Sequence, residues 1–160
     1  MKKHWFNFFV GMMSTVFLFS CKQVEVFEQN QVIASGKWMR NAPVQGTFEI
    51  TDTQSVYNIY IVLRHTDAYE YNNIWLNIGL QSPGGEMNFQ KVDLTLGNDQ
   101  NGWEGTGMND IREVRKLISG RPRQFIKPGK YYFQIGHIMR HDPLLHVLNA
   151  GLRVEKVYQP

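Results

Sequence analysis

Residues 57–80 read YNIYIVLRHTDAYEYNNIWLNIGL, and the period of this stretch decides the fold class. Tyr57, Ile59, Ile61 and Leu63 fall on one side of an extended chain, and Asn58, Tyr60, Val62 and Arg64 on the other. Side chains alternate from face to face along a strand, so this is a long strand with one strongly apolar face. His65 to Asn72 is polar and reads as a connection. Alternation then resumes, with Ile74, Leu76, Ile78 and Leu80 on one face and Trp75, Asn77, Gly79 and Gln81 on the other. Ser82-Pro83-Gly84-Gly85 is a turn signal, and Val92, Leu94 and Leu96 alternate with Lys91, Asp93 and Thr95 after it. Consecutive hairpins of this kind predict an antiparallel sheet with one wet face.

Working outward, period two recurs in Val44–Ile50, in Tyr131–Met139, and in Leu152 and Val154 between Arg153 and Glu155. Gly97 to Gly107 reads as a polar, glycine-rich loop holding Trp103. Ile111, Val114, Leu117 and Ile118 have helical spacing, with Asp110 as cap and Gly120 as stop. The β-branched residues there fit a strand equally. Asp142-Pro143 starts a turn or a short helical piece. The whole predicts an all-β protein: an antiparallel two-sheet β-sandwich, jelly-roll-like or immunoglobulin-like, with one or two short helices.

The N-terminus carries a different signal. Met1-Lys2-Lys3-His4 is a short basic region, and the run from Trp5 to Phe19 is almost wholly apolar or small. That is the length of a signal peptide's apolar segment and too short for a comfortable membrane span. Leu18-Phe19-Ser20-Cys21 follows, with an aliphatic residue three before a cysteine and a small one just before it. This is the bacterial lipobox. Residues 1–20 are expected to be a lipoprotein signal peptide, with cleavage before Cys21 after diacylglyceryl transfer to its thiol. Acylation of the new amine would complete the anchor. Cys21 is the chain's one cysteine, which suits a thioether and not a disulfide. Several acyl chains hold lastingly where one holds marginally. Residues 21–32 read as the lipid-anchored tether and 33–160 as a single domain. Residue 22 is Lys, so an aspartate inner-membrane retention signal is absent, which points to the outer membrane.

The formal charge of +3 overstates the basicity of the mature form. Lys2 and Lys3 leave with the signal and no acidic residue does, which lowers the sum to +1. A near-neutral domain has no electrostatic footprint for nucleic acid. Arg112, Arg115, Lys116, Arg121, Arg123 and Lys127 still form a local basic stretch. It reads as a solvated face, with a lipid headgroup or an acidic partner surface as the alternative.

No catalytic residue stands out. Ser35, Ser55, Ser82 and Ser119 lie in no nucleophile elbow. His137 and His141 are four apart but straddle a strand end, so their side chains diverge and no metal site is expected. Asp99, Asn101 and Glu104 lack the spacing of a calcium loop. No cofactor is expected. Trp75, Trp103, Tyr69 and Tyr71 lie in or beside polar segments and form the candidate surface for a protein partner or a glycan.

Several segments, taken in order, carry a resemblance. They are the lipobox ending at Cys21, Trp38 before Phe48-Glu49-Ile50 with Asp52, residues 57–78, and Gly102-Trp103-Glu104-Gly105-Thr106-Gly107. LRHTDAYEYNNIWL is the most specific part. Together they resemble the gliding-motility lipoprotein GldH family of Bacteroidota over nearly the whole mature chain. The resemblance implies a non-enzymatic cell-envelope lipoprotein, membrane-bound through Cys21. It also implies association with other envelope proteins of the gliding apparatus and of the secretion system for adhesins. Only Cys21 carries over as a functional position.

Overall fold

A computed structural model describes residues 26–157. Residues 1–20, expected to be the signal peptide, and Cys21 lie outside the described residues. The strands are β1 (Val26–Val32), β2 (Lys37–Trp38), β3 (Val44–Ile50), β4 (Val56–Thr66), β5 (Asn73–Gln81), β6 (Met87–Thr95) and β7 (Gly97–Asn98). There follow β8 (Gly102–Trp103), β9 (Thr106–Met108), β10 (Ile111–Leu117), β11 (Arg123–Gln124), β12 (Gly129–His137), β13 (Leu144–Leu145) and β14 (Val147–Val157).

Two sheets make the sandwich. One runs β1-β14-β4-β10-β9, with β11 also on β4; the other runs β3-β12-β5-β6. The pairs β1·β14, β3·β12, β4·β10 and β5·β6 are all antiparallel and nest inside one another along the chain. A single long hairpin wrapped over itself gives this order, so of the two expected topologies the strands follow the jelly roll.

The alternation read from the sequence holds where it was strongest. Tyr57, Ile59, Ile61 and Leu63 face inward from β4, and Ile74, Leu76 and Ile78 from β5; all are buried. Rings bridge the sheets. Phe27 of β1 lies 5.6 Å from Phe48 of β3, Phe48 stacks at 5.4 Å on Tyr131 of β12, and Phe125 packs 4.9 Å from Tyr131.

Two expectations change. Residues 26–32 were expected in the tether, yet they pair along their whole length with β14, and the folded part begins at least as early as Val26. Residues 111–117 form a strand, in register with β4 from Thr66 to Tyr60. Ile111 and Leu117, two of the apolar residues that suggested a helix, are exposed there. Among the described residues the only helical piece is a 3-10 turn at Ala34–Gly36. Asp142-Pro143 begins a bend leading into β13.

Candidate interaction surface

The outer faces of the two sheets differ in chemistry. On the six-stranded sheet charges pair across neighbouring strands and between alternate residues of one strand. Arg153 meets Glu28 at 2.9 Å and Glu155 at 3.1 Å, Arg64 meets Glu113 at 2.6 Å, and Arg115 meets Glu113 at 3.1 Å. At its rim Arg112 donates two hydrogen bonds to Asp67, at 2.8 and 3.1 Å, and holds that carboxyl below its ordinary value. Lys116 pairs with Glu104. Half of the basic stretch is therefore neutralised by its own carboxylates, Arg115 on the outer face and Arg112 and Lys116 at the rim. Arg121, Arg123 and Lys127 have no ion pair among the described residues; Lys127 reaches the Pro83 carbonyl at 3.4 Å.

The four-stranded sheet presents rings and amides instead. Trp75 of β5, Phe89 of β6 and Tyr132 of β12 are exposed by 43%, 53% and 48%. Their strand positions explain this: Trp75 and Tyr132 alternate with core residues, and Phe89 shares the outward parity of Lys91, Asp93 and Thr95 on β6. Gln45 and Gln134 approach each other at 3.4 Å across β3 and β12. Gly79 keeps the patch low. A Cβ there would fall 2.7 Å from the Phe89 ring and 2.8 Å from the Met87 sulfur, so both side chains lie across a bare backbone. Beside them is a shallow hollow of about 320 Å3, lined by Gln45, Thr47, Gln81, Met87, Tyr132 and Gln134.

The four aromatic residues picked from the sequence do not form one surface. Trp75 stands on this outer face. Tyr69 is 3% exposed, and its hydroxyl donates to the Asn73 carbonyl at 3.0 Å. Burial pushes its phenol well above its ordinary value. Trp103 packs edge-on against His65 at 4.6 Å, and Tyr71 lies 5.7 Å from Tyr69. Tyr69, Tyr71, Trp103 and His65 thus plug one end of the sandwich. Phe89 and Tyr132 were missed, although each shows the same outward alternation as Trp75. The polar run Asn88-Phe89-Gln90-Lys91 hid the first, and Tyr131 beside it the second.

Both buried histidines belong to the core. His137 donates from Nε2 to the Trp38 carbonyl at 3.0 Å, and His65 from Nδ1 to the Thr66 carbonyl at 2.9 Å. Burial lowers the pKa of each. His141 lies beside Tyr71 and shares no site with His137. Among the described residues no three His, Cys, Asp or Glu side chains are placed to hold a metal ion.

Comparison with known proteins gives the chain its family. It is 25% identical over 152 residues to the gliding motility lipoprotein GldH of Flavobacterium johnsoniae, covering 91% of this chain and 93% of that protein. It is 24% identical over 158 residues to a gliding motility lipoprotein GldH homolog of Christiangramia forsetii, covering 94% and 96%. Among solved structures, the infectious bursal disease virus VP2 subviral particle aligns over 86% of this chain and 33% of that one, with a TM-score of 0.37 and 11% identity. The model of the GldH lipoprotein family matches residues 25–154, and the chain belongs to that family.

Proposed function

We propose that this protein is a lipid-anchored, non-enzymatic part of the gliding-motility apparatus. Residues 1–20 direct export, Cys21 carries the lipid, and the mature chain, with no retaining aspartate at residue 22, goes on to the outer membrane. The sandwich then acts as an adaptor between envelope proteins of the gliding and adhesin-secretion machinery. The observation that carries the adaptor role is the contrast between the two outer faces. One is neutralised by its own ion pairs, and the other offers Trp75, Phe89 and Tyr132 with amides around them. Exposed rings of this kind are the usual anchors of protein contacts.

The same face favours a second reading, a glycan-binding lipoprotein. Rings flanked by Gln45, Gln81 and Gln134 suit the faces and hydroxyls of a sugar. Crosslinking and co-purification of the tagged chain from intact envelopes separates the two, with an unlipidated Cys21→Ala chain as control. Gliding or secretion components that come down with the wild type and are lost with the control support the adaptor. A chain recovered alone or with glycan contradicts it.

A further inference from the structure

The sandwich is open along one side. The inner positions of β6 change from Leu94 and Val92 to Asn88 and Gln90, where what the facing sheet offers across the gap is the two-residue β11 and the segment around it. Between β6 and the segment 118–127 lies a cleft of about 470 Å3, within the usual range of ligand sites of about 300–1,000 Å3. Its walls are apolar: Ile59, Ile78, Leu80, Ile118, Phe125 and Leu152. Arg123, Gln124 and Lys127 stand at the mouth with Ile126, which is 87% exposed. An apolar interior with two unpaired cations and a bare aliphatic side chain at its entrance matches an anionic amphiphile: tail inside, headgroup on the cations.

The position of the mouth names the source. Val26 pairs with Glu155, Glu155 with Asn58, and the adjacent Tyr57 with Arg123. The start of β1 and the cationic segment are therefore at the same end of the sandwich, three strand spacings or about 14 Å apart. Cys21 is five residues before Val26, a reach of at most about 18 Å. A lipid on Cys21 would hold this end against the bilayer. We propose that the cleft takes one acyl chain of an anionic phospholipid from the membrane that anchors the protein. The choice of a membrane lipid rests on the anchor at Cys21; the cleft and its cations do not.

The processed full-length chain, with its anchor, is reconstituted into phosphatidylethanolamine vesicles containing phosphatidylglycerol with a diazirine on one acyl chain. After illumination, label is expected on peptides containing Ile118, Phe125 or Leu152. Ile118→Trp fills the cleft and should cut that label about tenfold. Ile118 touches the core, so the paired exposed change Arg123→Glu with Lys127→Glu provides a second variant, and it should cut the label severalfold. Trp75→Ala, on the outer face, should leave it unchanged. Label confined to outer surfaces overturns the proposal, as does wild-type labelling of both cleft variants. Equal labelling from phosphatidylcholine bearing the same diazirine chain overturns the headgroup selection. The mass of the N-terminal peptide reads the anchor separately: a chain with bare Cys21 that still labels in the cleft contradicts the anchor and not the cleft.

Discussion

His65 and His137 illustrate how single residues tie packing to pH. Each is buried and neutral, and burial holds its pKa below the ordinary 6.5. In the unfolded chain both take up protons near 6.5, while in the folded chain they resist, so the unfolded state binds more protons just below that value. Their contribution is complete above about pH 7 and declines as pH falls through about 6 towards the folded pKa values. Thermal unfolding followed between those values should show a falling midpoint, with a shallower slope in His65→Phe; an identical slope would place the proton uptake elsewhere. Phe133, enclosed between the sheets, makes a larger test. Phe133→Ala should cost about 3–5 kcal/mol, measured by denaturant unfolding, a large share of a domain's net stability of about 5–15 kcal/mol. At this scale the sequence was readable where a residue sat inside a clear period. Trp75, set between Ile74 and Leu76, had to point out. Tyr69 lay in a connection, and nothing local shows that the chain leaving β4 carries it over the end of the core, where it is buried.

Among the elements, β4, β5, β6 and β12 announce themselves by alternation, while β1 and β10 do not. β1 is an edge strand of Phe27, Glu28, Gln29, Asn30 and Gln31, with Phe27 its one ring on the core. An edge strand can stay polar because one side and one face meet water, so its composition resembles a linker. β10 misleads for another reason. Its inward positions include Arg112 and Lys116, whose heads find Asp67 and Glu104 at the rim. Of the apolar residues at helical spacing, Val114 is buried in the core and Ile118 packs against it, while Ile111 and Leu117 face solvent. Gly151 of β14 tests whether β1 is structural. A Cβ there would strike the Gln29 carbonyl and the Asn30 side chain of β1. Gly151→Ala should cost about 1–3 kcal/mol and speed hydrogen exchange of the amides in 26–32 towards loop rates. Unchanged stability and exchange would mean that β1 pairs only weakly.

At the scale of the whole molecule, the nested pairing that makes a jelly roll depends on contacts between residues as distant as Val26 and Glu155. No local period encodes them, which is why the sequence supports a sandwich but leaves two topologies open. The consequence for function is two unlike faces and two unlike ends. Ion pairs cover one face, rings the other; the N-terminal end carries the cationic cleft, and the opposite end is plugged by His65, Tyr69 and Trp103. An anchored adaptor with this layout would keep one end on the bilayer and present its ring-bearing face sideways to a partner. The most direct measurement replaces Trp75, Phe89 and Tyr132 together by Ser in the chromosomal copy of a gliding strain. Colony spreading, the level of anchored protein and its unfolding midpoint are then followed. The account predicts that spreading and partner crosslinks are lost while the level stays normal and the midpoint moves by no more than a few degrees. Full spreading with the triple variant present at normal level would contradict it.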